Sequence, residues 1–273
     1  MLLHKIIYAF KIFLNSPSAF SIFLFKHVQS LYIKILSYIL TNKYSCNVCN
    51  KTSWKFISDN WHSNIICPHC FSEIRHRLFF AYLNNSKFNI KLESFKEKHI
   101  LHFAPEGCFK KKFKNISSNY KTADFNRKGY DYSLDISNMY EIENSTLDYL
   151  IAFDVIEHVH DINKCFNEIH RVIKDDGLVF VSVPQIDYLE KTIFYDGIEN
   201  KSHKLNKFGQ IDHSNLFGSD FKEILIEYNF DVNVIENNLF ENQYSNNYIL
   251  KPKKTSTKKF ATNDRKIYIL KRN

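Results

Sequence analysis

The sequence predicts an α/β fold: a mostly parallel, doubly wound sheet of seven strands, preceded by a small cysteine module and an apolar leading segment. Three observations carry this. From residue 98 onward, strand-like apolar runs alternate with helix-like stretches, the pattern of a parallel sheet covered on both faces. With 44% apolar residues and 25 Phe among 273 residues, the chain can fill a core of that size. Four cysteines fall in two Cys-x2-Cys pairs, Cys46 with Cys49 and Cys67 with Cys70, with 17 residues between the pairs.

Residues 1–42 form the leading segment, apolar but punctuated by Lys, and Ser16-Pro17-Ser18 divides it into two expected helices. In the second, Phe20, Phe23, Leu24, Val28, Leu31, Ile35 and Ile39 recur at helical spacing, giving one greasy face and one polar face. Such a stripe packs on the protein's own core or a second subunit, or lies in the plane of a membrane surface. No run reaches the roughly 18 uninterrupted apolar residues of a spanning helix. No small-residue cleavage site is evident. The expectation is a retained segment on a cytoplasmic protein, peripheral at the inner face of the membrane if it attaches. Charge points the same way: residues 1–45 carry five Lys and no acid, residues 251–273 carry nine basic residues and one acid, and the overall charge is +8. The middle of the chain is therefore acidic, and a polyanion or anionic surface would be met at the ends.

Residues 43–97 are read as a zinc-ribbon-like module and a linker helix. Each short turn presents two thiolates to one tetrahedral ion, and the intervening segment returns as strands. Core cysteines or a redox dithiol are the alternatives, although a redox motif needs only one pair. Four protein thiolates leave no open position, so the metal expected is structural zinc. His62 and His69 are read as surface residues and not as ligands. Disulfides would need an oxidising compartment.

Residues 98–273 carry the sheet. KHILHFAP, NYKTADF, YDYSLDI, LDYLIAFDV, LVFVSVP, FDVNVIE and RKIYILKR read as strands, and EGCFKKKFKN and FGSDFKEILIEYNF as helices. A helix over 161–174 is well marked: Asp161 caps it, Ile162, Cys165, Phe166, Ile169, Val172 and Ile173 make its stripe, and Gly177 follows its end. The Lys-rich 251–264 is expected to be a loop.

In such a sheet, ligands bind at the carboxyl ends of the strands, where the strand order reverses. Asp124, Asp135 and Asp154 close three successive strands there. Asp124 also lies about 20 residues after the first turn, the position from which an acid holds a ribose hydroxyl pair.

The run FDVIEHVHDINKCFNEIHRVIKDDGLVFVSVP resembles the central block of class I S-adenosylmethionine-dependent methyltransferases, in which D-V-x-E-H-V-x-D is followed by E-x-x-R-V-L-K-P-G-G and a strand. With HILHFAPE and CPHCFSEIRHR, residues 44–273 resemble a bacterial subgroup often associated with surface-glycan biosynthesis. The resemblance implies a Rossmann-like fold and S-adenosylmethionine as cofactor. It makes Asp124 the ribose ligand and puts Asp135 and Ile136 at the adenine, Ala104 and Glu106 beside the methionine portion, and Asp154 and Val155 on the cofactor side of the acceptor pocket. Two departures stand out: Ala104-Pro105-Glu106-Gly107-Cys108 replaces the usual Gly-x-Gly-x-Gly turn, and Lys174-Asp175-Asp176-Gly177 replaces Lys-Pro-Gly-Gly. The cofactor has no pyrophosphate, so a phosphate-cradling turn is not required.

Methyl transfer is an in-line displacement from a cationic sulfur, in which alignment and exclusion of water do most of the work. Asp154 would favour the sulfonium. His158 is the local base for a hydroxyl acceptor, or else a structural imidazole. Asp212 and His213, in FGQIDHSNLFG, are a second acid–base pair, or else part of a plain loop. The acceptor expected is a small molecule or glycan. Two rivals remain: an RNA methyltransferase, with nucleic acid disfavoured by the acidic middle, and a non-catalytic membrane-associated assembly protein.

Overall fold

A computed structural model describes residues 17–125 and 128–273; the first of the two expected leading helices falls outside the described residues. Strands β1 (Tyr44–Cys46) and β2 (Lys51–Ser53) pair antiparallel as a small hairpin. The main sheet comprises β3 (Ile100–Phe103), β4 (Tyr120–Asp124), β5 (Tyr132–Ser133), β6 (Leu147–Phe153), β7 (Ile173–Ser182), β8 (Phe230–Ile235) and β9 (Ile267–Arg272), in the order β5-β4-β3-β6-β7-β9-β8. Strands β3 to β7 run parallel, and β9 runs antiparallel to both neighbours. The order reverses at β3, which lies between β4 and β6 and so opens a crevice at its carboxyl end.

Strand parity builds the two layers. Leu101, Phe103, Leu150, Ala152, Val179 and Val181 lie on one face, against Ile162, Cys165, Phe166, Ile169 and Val172 of α4 (Ile162–Val172). Ile100, Tyr149, Ile151, Phe153 and Phe180 alternate onto the other, where they meet α2 (Ile74–Leu83) and α3 (Gly107–Ile116). Helix α2 buries residues all around its circumference, as a helix inside a core must. Its Phe79 ring packs edge-on or tilted against Phe95, Phe109, Phe153 and Phe180, with centroids 5.1–6.3 Å apart. Cys46, Val48, Phe56 and Cys67 join the same cluster, so the cysteine hairpin is part of this core.

Arg77 fastens that junction. It is fully buried, and its guanidinium donates to the carbonyls of Ile65, Ser72, Tyr248 and Ile249, while the charge lies 5.1 Å from the Phe56 ring centroid. These carbonyls come from the cysteine module and from the end of α7 (Asn242–Tyr248).

The remaining helices are α1 (Pro17–Leu36), α5 (Lys201–Phe208) and α6 (Phe221–Glu227). Helix α1 does not bury its apolar stripe on the described chain. Of its apolar stripe, Leu24, Val28, Leu31 and Ile35, with Ile39 beyond its end, are half or more exposed. The side that docks carries Ser30, whose hydroxyl donates to the Pro68 carbonyl at 2.7 Å, and Ile33, which sits among Ile57, Ile65, Ile66 and Ile74. A narrow contact on the cysteine module decides the orientation and leaves the wide apolar face outside.

Smaller differences have specific causes. Helix α4 is capped by Asp161, which accepts from Lys164 N at 3.0 Å, but β7 begins immediately at Ile173. Gly177 lies within β7, where an added Cβ would come 2.7 Å from Ile173 Cγ1 and 3.0 Å from the Leu147 carbonyl. The expected strand YDYSLDI pairs only at Tyr132 and Ser133, since Asp135 Oδ1 turns back to accept from Ser137 N and Oγ. His62, expected on the surface, is buried against Asn263 Oδ1 at 2.8 Å.

Candidate active site

The chain turns sharply at the carboxyl ends of β3 and β6, where Ala104 (φ 44°) and Asp154 (φ 53°) both take the left-handed conformation. For a residue with a Cβ this is strained, and such strain concentrates at ligand sites. Between these turns and the end of β4 lies a cavity of about 620 Å³. Six of the seven residues predicted to hold the cofactor line it: Ala104, Asp124, Asp135, Ile136, Asp154 and Val155. Asp135 already caps its own turn, its Oδ1 accepting from Ser137 N and Oγ.

Glu106 is the exception and corrects the expectation of a place beside the methionine portion. His76 Nδ1 accepts from Glu73 N, so its Nε2 carries the proton and donates to Glu106 Oε1 at 2.8 Å. His102 Nε2 donates to Oε2 at 3.1 Å. Burial pushes the Glu106 carboxyl up, but the two imidazoles more than offset this and hold it well below the usual carboxylate range. Both of its oxygens are engaged by protein.

Asp154 also differs from expectation. Arg75 Nη1 lies 3.2 Å from Oδ2, Arg265 Nη2 pairs with Oδ1, and Ser182 Oγ donates to Oδ1 at 3.0 Å. Two guanidinium groups thus answer the charge that would have favoured a sulfonium. Sequence reasoning assigned no site role to either arginine; Arg75 enters from α2, and Arg265 from the loop before β9.

A second cavity of about 390 Å³ adjoins the first, and the two share Asp154, His158 and Asp212 in their linings. Glu157, His213, Arg75 and Arg265 line the second alone. The long connection from β7 to α6 brings Asp212 and His213 to His158: the two rings lie edge to face with centroids 4.9 Å apart, and His158 Nδ1 donates to the Asp212 carbonyl at 2.8 Å. Burial, with His158 beside it, pulls the His213 imidazolium down to about 4, so His213 is neutral at pH 7. Burial and the Asp154 charge push Glu157 well above the usual range. The E-x-x-R part of the sequence block serves structure: Glu168 accepts from Met139 N, and Arg171 pairs with Glu168 and donates to the Met139 and Ile142 carbonyls.

The four cysteines converge. Their sulfurs all lie within 4.8 Å of one another, with Cys46–Cys70 at 3.7 Å and Cys49–Cys67 at 3.8 Å. Zn–S bonds of about 2.3 Å give a tetrahedron edge of about 3.8 Å, which these separations match. His69 N donates to Cys67 Sγ at 3.4 Å, while its ring is engaged by Ser53 and Thr52.

A family profile described as a methyltransferase domain matches residues 76–234, which is 159 of the 273 residues. The chain belongs to the class I S-adenosylmethionine-dependent methyltransferase family. A curated relative, phosphoethanolamine N-methyltransferase 2 of Caenorhabditis elegans, is 26% identical over 108 residues; the match covers 35% of this methyltransferase and 25% of the relative. Among solved structures, a SAM-dependent methyltransferase from Archaeoglobus fulgidus aligns at TM-score 0.44 and 15% identity, over 72% of this chain and 91% of that one. An S-adenosylmethionine-dependent methyltransferase from Mesorhizobium loti aligns at TM-score 0.45 and 15% identity, over 65% and 92%.

Proposed function

We propose that the protein transfers the methyl group of S-adenosylmethionine to a small-molecule or glycan acceptor, with the cofactor in the larger cavity and the acceptor in the smaller. The observation that carries this reading is the shared wall: Asp154, His158 and Asp212 border both spaces, so a sulfonium methyl in one can meet a nucleophile in the other. Asp124 takes the ribose hydroxyls, Asp135 and Ile136 the adenine, and Ala104 the methionine portion, with Asp154 and Val155 on the cofactor side of the acceptor space. His158 and His213 border the acceptor's reacting atom, where a neutral imidazole can accept a proton. The acceptor cavity, about 390 Å³ in volume and lined by side chains of both charges, fits a small polar molecule better than an extended RNA. The curated relative's name describes a small-molecule enzyme. Calorimetric titration with S-adenosylmethionine, followed by a mass screen of sugar nucleotides and glycans for a gain of one methyl, tests the assignment. A protein that binds no cofactor would be a scaffold.

Two further roles complete this reading. The Cys46, Cys49, Cys67 and Cys70 cluster holds a structural zinc ion. The exposed face of α1 lies on an anionic membrane surface, because it joins a wide apolar stripe to a segment with five Lys and no acid. No helix among the described residues is long and apolar enough to cross a membrane. Lys26 of α1 borders the acceptor cavity, so attachment would bring that cavity close to acceptors carried at the surface. Val28→Glu with Leu31→Glu, both on the exposed face, should abolish sedimentation with anionic vesicles and leave cofactor affinity intact. Unchanged sedimentation would exclude membrane contact through α1.

A further inference from the structure

We infer that Glu157, His158 and His213 form a divalent-cation site in the acceptor cavity, and that the cation binds and activates an acceptor oxygen. This rests on the methyltransferase reading and deepens it by making the two imidazoles ligands. One ligand atom from each residue lies within 4.8 Å of the others. A carboxylate oxygen with two imidazole nitrogens suits the first-row divalent cations, such as Mn²⁺, Fe²⁺, Co²⁺ or Zn²⁺.

Independent features point to a missing partner. Glu157 is 1% exposed, yet its Oε2 has no hydrogen-bond partner, an arrangement that costs free energy unless something fills it. The two arginines of the cavity do not fill it, since both pair with Asp154. The His158 imidazole is set as a ligand usually is, with one nitrogen occupied by a backbone carbonyl: Nδ1–H donates to the Asp212 carbonyl at 2.8 Å, which leaves the lone pair on Nε2. The backbone fixes the grouping as well. Ser214 N and Asn215 N donate to the Glu157 carbonyl at 2.8 and 3.0 Å, and Asn215 Nδ2 donates to the Val159 carbonyl at 2.6 Å. Two segments far apart in sequence are thus held in register before any ligand arrives.

Three protein ligands leave coordination positions open, and the His158 side chain is 39% exposed, so an acceptor oxygen can complete the shell. His158 borders both cavities, so that oxygen would sit on the side from which the methyl arrives. The transfer balances without a further reactant. The acceptor oxygen's lone pair forms the new C–O bond, the S–CH₃ bond breaks with its electron pair left on sulfur as the neutral thioether, and the proton, made more acidic by the cation, leaves to solvent. The acceptor group is therefore a hydroxyl or an enol, and the product an ether.

The test is a Mn²⁺ titration of the full-length protein, carrying whatever its cysteines hold, followed by the electron paramagnetic resonance signal of free Mn²⁺. The same sample is titrated calorimetrically with S-adenosylmethionine. One Mn²⁺ per chain should bind and be displaced by Co²⁺. Glu157→Gln, which keeps the side chain's shape, and His158→Ala, at a part-exposed ring, should each weaken Mn²⁺ binding about tenfold or more. Cofactor binding without Mn²⁺ binding, or Mn²⁺ binding that both variants leave unchanged, overturns the cation site alone. Absence of cofactor binding overturns the methyltransferase reading itself.

Discussion

The four cysteines and the Glu157–His158–His213 group both gather ligand atoms within 4.8 Å, but they differ in what they leave open. The cysteines come from two tight turns, would by themselves fill the shell of a tetrahedral ion, and join the aromatic core under the sheet. The Glu–His–His group comes from two segments meeting at a cavity, and one of its rings reaches solvent. A closed set of ligands is suited to holding chain segments together, and an open one to holding a substrate. The difference predicts where each substitution should be felt.

The largest effect should come from the closed cluster. Cys46→Ser or Cys67→Ser should remove stoichiometric zinc and destabilise the whole protein by several kcal/mol, because metal affinity in such sites is folding free energy. The shared core carries the loss from the hairpin into the sheet. Metal analysis with thermal unfolding checks this; a variant that lacks metal but melts like the wild type would show the hairpin to be an independent appendage.

Arg77→Ala comes next, because it cuts the link between the cysteine module and the end of α7. The Ile65, Tyr248 and Ile249 carbonyls lose their donor while Ser72 keeps Cys67 N, at about 1–3 kcal/mol for each one left unsatisfied, and relaxation recovers part. A loss of at least about 3 kcal/mol in urea unfolding is expected, with zinc content unchanged. A loss under 1 kcal/mol would mean that water replaces the guanidinium.

At the open end, Asp124→Ala should lower cofactor affinity by about 1.5–3 kcal/mol, through loss of charge-assisted hydrogen bonds to the ribose. Zinc content should hold. Unchanged affinity by calorimetry would move the ribose away from the end of β4.

How much of this was legible follows the same division. The cysteine cluster was readable because its ligands are one residue type at a fixed short spacing. The strand ends were readable because alternation places Ala104, Asp124 and Asp154 on the crevice regardless of side-chain detail. Which way a side chain at such an end turns was not readable. Glu106 is claimed by His76 from α2 and His102 from β3, and Asp154 by Arg265, 111 residues away. The pairing of Glu157 and His158 with His213 depends on a long connection whose path no local pattern encodes. Helix α1 shows the limit of periodicity: Leu24, Val28, Leu31 and Ile35 do share a face, but the tertiary contact at Ser30 and Ile33 chose the other side.

The smallest effect expected sharpens the comparison at the level of the backbone. Related enzymes usually carry glycine in the first turn, whereas Ala104 stands here at φ 44°. A left-handed residue with a Cβ costs roughly 1–2 kcal/mol, and glycine's greater freedom in the unfolded chain returns about 0.5–1 kcal/mol of that. Ala104→Gly should therefore stabilise the protein by no more than about 1.5 kcal/mol, visible as a small rise in the urea midpoint at constant slope. Cofactor affinity separates two origins of the strain. If the Ala104 methyl packs on the bound cofactor, affinity falls while stability rises, and the strain is tied to binding. If both hold or rise together, the methyl contributes nothing to the site, and the turn is a residue of chain geometry at the end of β3.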